Sequence, residues 1–152
     1  MLLIRGGRVL DPASGSDKIA DLTVENGVIT GLYPQGEFKC PEENEVQVID
    51  ASGMAVAPGL VDVHVHFRDP GFTYKEDIAT GARAAAKGGF TTVVCMANTN
   101  PKVDTPETLR YVLEEGKKTG IHILSCAAVS KGFDGKTLTD MEALKEAGAA
   151  GF

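Results

Sequence analysis

Residues 58–71 read Pro-Gly-Leu-Val-Asp-Val-His-Val-His-Phe-Arg-Asp-Pro-Gly. The run follows one Pro-Gly breaker, alternates, and closes on a second breaker, which predicts a strand with a turn at each end. Successive strand side chains point to opposite faces. One face therefore carries Leu60, Asp62, His64, His66 and Arg68, and the other Val61, Val63, Val65 and Phe67. The β-branched face is suited to packing under helices. The first face sets two imidazoles and a guanidinium in a row, which an apolar core tolerates only when they have partners.

The chain downstream repeats this strand with helices between. Strand-like runs begin near Leu60, Phe90, Ile121 and Ala149, at spacings of 30, 31 and 28 residues. Thr73-Tyr74-Lys75-Glu76 has the composition of a capping box, and the helix predicted after it carries Ile78, Ala82, Ala85 and Ala86 and stops at Gly88-Gly89. Thr105-Pro106 is an N-cap with proline at the first helical position, ahead of Leu109, Val112 and Leu113. Thr139-Asp140-Met141-Glu142 is a second candidate box, with Met141 and Leu144 inward and Gly148 as the stop. Strand and helix alternating at a period near 30 predict βα units on a parallel sheet.

Two architectures use that repeat, the doubly wound sheet and the (β/α)8 barrel. No Gly-x-Gly-x-x-Gly follows the first strand, and Gly132-Phe133-Asp134-Gly135-Lys136 lacks the spacing of a phosphate-binding loop. Nucleotide binding is not indicated. Residues 1–57 differ in kind: short alternating runs (Leu2–Ile4, Arg8–Leu10, Asp21–Glu25, Val28–Thr30, Val46–Asp50, Met54–Ala57) with Asn26-Gly27 as a hairpin turn. The expected organisation is a β-rich, sandwich-type subdomain over 1–57 and the first three and a half βα units of a barrel over 58–152.

Composition narrows the function classes. Fifteen basic against 21 acidic residues give a net charge of −6. With no basic cluster, neither nucleic acid nor an anionic membrane surface is an expected partner. No window of 18 apolar residues occurs, and the first residues lack the apolar core of a secretory leader, so a cytoplasmic protein is expected. Cys40, Cys95 and Cys126 form neither a Cys-x-x-Cys pair nor an even framework and read as reduced thiols, Cys95 and Cys126 in core strands. Glycine, at 18 residues, is enriched and implies many turns.

The chemistry concentrates in the His-x-His. Two imidazoles two residues apart on a strand stand about 6.5–7 Å apart at the backbone, and rings converging from there can hold one divalent ion at about 2.0–2.1 Å. Catalytic groups of barrels gather at strand C-termini. A half-exposed polar strand face fits the same spacing, so both readings stay open on the residues alone. Asp62 is open between orienting a ligand and satisfying backbone donors. His122, at the opposite end of its strand, reads as a surface histidine, and Lys75-Glu76-Asp77 as a helix start.

His64-Val-His66-Phe-Arg68-Asp-Pro-Gly71, the preceding Val48–Gly53, Tyr74–Asp77 and Gly88-Gly89-Phe90-Thr91-Thr92-Val93 together resemble the amidohydrolase superfamily and, within it, dihydroorotases of the bacterial type. The resemblance spans essentially the whole chain. It implies a zinc-dependent barrel enzyme, with two ions when complete, that interconverts dihydroorotate and N-carbamoyl aspartate in pyrimidine biosynthesis. It further implies that His64 and His66 bind the more buried ion and that Arg68 and Asn98 hold the substrate carboxylate. The reaction so implied is metal-assisted hydrolysis of a cyclic amide, with an aspartate moving the proton. The family's usual Met-Pro-Asn-Thr is here Met96-Ala97-Asn98-Thr99. Family members are several hundred residues long, so the bridging ligand, two further histidines and the catalytic aspartate are expected past Phe152. On that expectation these residues alone are inactive and no catalytic residue lies among them. Allantoinases and hydantoinases share the His-x-His. A non-catalytic partner of aspartate transcarbamoylase and a βα module with surface histidines are the remaining alternatives; beside the small-molecule substrate, the expected partner is a second copy of the chain, as a homodimer, or aspartate transcarbamoylase.

Overall fold

The computed structural model describes residues 1–39 and 46–152, so Cys40 and the polar run up to Glu45 lie outside the described residues. The described chain divides into two compact units, Met1–Pro58 and Gly59–Phe152.

In the first unit, β1 (Leu2–Asp11) pairs antiparallel with β2 (Ser16–Glu25), and β2 with β3 (Val28–Pro34). β4 (Gln47–Asp50) and β5 (Ala55–Val56) both run parallel to β1, completing one five-stranded mixed sheet in the order β3-β2-β1-β4 with β5 also on β1. Within Met1–Pro58 the described residues form no second sheet. Asn26 and Gly27 take φ of 50° and 77°, the positive values a two-residue hairpin turn demands. β1 is continuous where two short runs were expected, because Gly6-Gly7 forms a register shift inside the strand rather than ending it. The Asp21 carboxylate, fully buried, accepts the Gly6 and Gly36 N–H groups at 2.8 Å each. A Cβ at Gly7 would come within 2.5 Å of the Val56 side chain, so glycine is what lets β5 lie against β1.

The second unit is built of βα repeats. β6 (Leu60–Val65), β7 (Phe90–Cys95) and β8 (His122–Ser125) form a parallel sheet in that order. The run near Ala149 extends it: Ala150 N–H donates to Ser125 O and Ala127 N–H to Gly151 O, each at 2.9 Å, and Gly151 bridges Cys126 in parallel. α1 (Ile78–Lys87) lies on β7 and α2 (Pro106–Lys117) on β8, with α3 (Met141–Glu146) beside α2. Phe67, Ile78, Val93, Leu109, Val112 and Leu144 are buried at the centre.

Three expectations are corrected. α1 does not begin at Thr73. Phe72 to Lys75 is a turn closed by Lys75 N–H on Phe72 O at 2.8 Å, and the box that forms is Asp77 with Thr80. Likewise Asp140 caps α3, while the buried Thr139 hydroxyl donates to Ala128 O at 2.7 Å. The β-branched face of β6 is not covered as expected: Val61 and Val63 remain 57% and 69% exposed. β6 is the edge strand, and the helices lie mainly over its neighbours. Thr105 caps α2 with Pro106 at its first turn, as the sequence predicts. No described helix is long and apolar enough to cross a membrane.

Candidate metal and substrate site

The site lies where the three parallel strands end. β6 closes at Val65, so His64 is its penultimate residue and His66 the first beyond it. Both rings fall on one side, their centres 5.1 Å apart and their planes at 68°. β7 closes at Cys95, and the segment after it carries Asn98 back toward β6, where its Oδ1 lies 2.8 Å from His66 Nδ1. A cleft of about 460 Å³ opens here, lined by His64, His66 and Asn98, with Met96, Phe133 and Phe152 among its apolar walls.

The loops that present these groups hold one another. Met96 N–H donates to Val65 O at 2.9 Å, continuing the β6–β7 ladder one residue past the end of β7. Asn100 N–H donates to Pro70 O at 3.0 Å, and Gly71, at φ 94°, passes so close that a Cβ there would lie 1.9 Å from Asn100 O. Only glycine fits, by conformation and by space. Ala97, standing where the resemblance expects proline, is buried, and its carbonyl accepts Val103 N–H at 3.1 Å. The Asn98 segment is thus tied down at both sides without the proline ring.

The row of side chains read along the first strand ends sooner than the alternation predicts. Phe67 turns into the core, and Arg68 takes a left-handed φ of 64°, its carbonyl accepting Phe72 N–H at 2.9 Å. Arg68 is half-buried, is not among the residues lining the cleft, and makes no ion pair or side-chain hydrogen bond among the described residues. His64, His66 and Asn98 are therefore brought together, while Arg68 stands beside them. Asp62 accepts the His64 backbone N–H at 3.0 Å, the backbone-satisfying alternative of its two readings. His122 is exposed at the far end of β8.

One contact had no signal in the sequence. Tyr111 on α2 donates its hydroxyl to Asp69 Oδ1 at 2.9 Å across 42 residues, tying down the turn that follows Arg68. Partial burial first, and the Asp69 carboxylate second, push the phenol up to about 12, so it stays protonated and donating at any ordinary pH. Burial pushes the Cys95 thiol up to about 12 and raises that of Cys126. Neither is a thiolate nucleophile near neutrality.

A dihydro-orotase-like family profile matches residues 53–152. The chain belongs to that family. Curated relatives of this dihydro-orotase-like chain include the dihydroorotase of Clostridioides difficile strain 630, 59% identical over all 152 residues, and that of Streptococcus pneumoniae serotype 4, 53% identical over the same span. The chain spans 35% of the length of each. Among solved structures it is similar to the L-hydantoinase of Arthrobacter aurescens (24% identity, TM-score 0.75, 99% of this chain and 32% of that one), a likeness of fold alone. It is also similar to the D-hydantoinase of a Thermus species (31% identity, TM-score 0.66, 96% of this chain and 30% of that one).

Proposed function

We propose that this dihydro-orotase-like chain supplies a histidine pair and a carboxylate-binding corner to a zinc-dependent dihydroorotase, which opens the cyclic amide of dihydroorotate to N-carbamoyl aspartate and closes it again. The observation that carries this is the His64–His66 pair at the end of the first parallel strand with Asn98 set against it. On the same reading, the βα units begin a (β/α)8 barrel and the five-stranded sheet is one layer of a small β-sandwich.

The two imidazoles fit a divalent ion. A ring bound through nitrogen at about 2.0–2.1 Å has its centre about 3.2 Å from the metal, so two rings at a tetrahedral angle have centres about 5.2 Å apart. The observed separation is 5.1 Å. Among the described residues no third His, Cys, Asp or Glu joins them, so the remaining donors, a second ion's ligands and the proton-transferring acid are assigned to the length the relatives have beyond this chain. An ion of the zinc class supplies Lewis acidity toward the ring amide. His64 and His66 would hold that ion. Asn98 offers its amide to the substrate carboxylate. Arg68, half-buried without an acidic partner, is the group whose planar fork suits a carboxylate bidentately.

The likeness to the Thermus D-hydantoinase favours a second cyclic-amide substrate, a hydantoin. Arg68 next to the histidines and the 59% identity to a dihydroorotase favour dihydroorotate. In the full-length protein, zinc content should fall sharply in His64→Ala and in His66→Ala. Arg68→Met should keep its zinc and lose about 30-fold to several thousandfold in kcat/KM for dihydroorotate, the equivalent of about 2–5 kcal/mol for a broken charge-assisted pair. Unchanged zinc content in both histidine variants, or parent-level turnover in Arg68→Met, would overturn the assignment.

A further inference from the structure

The contact between His66 and Asn98 has a direction that chemistry dictates. A side-chain amide oxygen carries no proton, so at 2.8 Å from Asn98 Oδ1 the hydrogen must belong to His66 Nδ1. A neutral imidazole protonated on Nδ1 carries its lone pair on Nε2. The amide is planar, so pinning its oxygen also fixes the opposite end, and its NH2 donates to nothing among the described residues. Asn98 lines the same cleft as the histidines. Its segment is held by hydrogen bonds on both sides, Asn100 N–H to Pro70 O and Val103 N–H to Ala97 O, so the amide is offered from a fixed backbone.

We propose that Asn98 is a positioning residue for His66: its oxygen holds the imidazole proton on Nδ1 and turns Nε2 toward the ion, and the same bond presents its NH2 as a donor to the substrate carboxylate. This rests on the metal and substrate reading above, and it adds that one side chain sets the geometry of both. Two functions in one amide separate by substitution. Asn98→Asp keeps an oxygen acceptor for Nδ1–H but replaces the donor with a charge that repels a carboxylate. Asn98→Ala removes both.

Zinc affinity of the full-length protein, read by competition with a chromogenic chelator, should weaken about 10- to 100-fold in Asn98→Ala, the range for losing a partner that orients a metal-bound histidine. In Asn98→Asp it should stay within about threefold of the parent or tighten, while KM for dihydroorotate rises at least tenfold. Nitrogen NMR of the metal-free parent should show His66 protonated on Nδ1, a readout that needs neither zinc nor turnover and survives if either variant fails to fold. Zinc affinity unchanged in Asn98→Ala, equal weakening in both variants, or an Nε2-protonated His66 in the parent overturns the proposal. A parent that binds no zinc and ignores dihydroorotate, with His66 still Nδ1-protonated, would instead refute the function proposed above and leave the orienting contact standing.

Discussion

Gly81 sits on the inner face of α1, where a Cβ would meet three atoms of the Phe67 ring at 2.4, 2.6 and 2.8 Å. Ordinary carbon contacts begin near 3.4 Å, so Gly81→Ala requires the ring or the helix to move by about 1 Å. Two effects oppose. Alanine is better than glycine in a helix interior by about 1 kcal/mol, whereas overpacking a filled core costs about 1–3 kcal/mol. Phe67 is buried and three of its atoms are struck together, so the steric cost lies in the upper part of that range and wins. The expected outcome is a net loss of about 1–2 kcal/mol for Gly81→Ala. The exposed, mid-helix Ala84→Gly isolates the propensity effect and should cost about 1 kcal/mol. Urea midpoints of the full-length, metal-free protein, followed by circular dichroism at constant m, measure both. Because Phe67 lies between His66 and Arg68, Gly81→Ala should also weaken zinc binding if the proposed histidine site is right. If Gly81→Ala is as stable as the parent or more so, while Ala84→Gly loses the expected amount, then Phe67 yields freely and does not anchor the end of β6.

Leu109, fully buried between α2 and the sheet, should cost about 2–5 kcal/mol as Leu109→Ala in the same urea titration. Cys95, whose thiol burial pushes up to about 12, should resist iodoacetamide at pH 8 in the folded protein and react after denaturation. Asp77 is held below the usual carboxylate range, first by the Thr80 backbone N–H and then by the Thr80 hydroxyl. A carboxyl depressed in the folded state stabilises it above the unfolded value near 4, and that stabilisation is lost as pH falls through the lower folded value. The melting temperature of Asp77→Ala should therefore trail the parent at pH 6 and converge with it in strong acid; a constant gap would refute the cap.

How much of this was readable from the residues depends on what fixes each piece locally. The Asn26-Gly27 turn and the Thr105-Pro106 cap are made within a few residues, and the starts of β6 and β7 at Leu60 and Phe90 follow the local breakers Pro58-Gly59 and Gly88-Gly89, so short-range rules found them although the strands' own backbone bonds are long-range. The start of α1 escaped because Thr73–Glu76 has the composition of a box while Phe72 is drawn back by its N–H bond to Arg68 O, leaving Asp77 and Thr80 to make the cap. Gly6-Gly7 read as a break because glycine composition does not distinguish a turn from a bulge in a continuous strand; the buried Asp21 carboxylate, 15 residues on, accepts the Gly6 N–H.

The candidate site divides along the same line. Period-two spacing alone places His64 and His66 on one side, since both belong to one strand and its first residue beyond. The same rule carried Arg68 too far along that face, because the chain leaves the strand at Val65 and no pattern announces a non-glycine residue at φ 64°. What bends it there is a second loop: Pro70 O takes the Asn100 N–H, and Gly71 passes against the Asn100 carbonyl. That same second loop brings Asn98 to His66 across 32 residues. The residue that left the expected row and the residue that joined it are thus set by one loop-to-loop contact. Gly71→Ala, struck at 1.9 Å by the Asn100 carbonyl and forced to hold a positive φ, should disturb Arg68 and Asn98 together. A variant that impaired substrate binding through one and left the other in place would separate what the geometry joins.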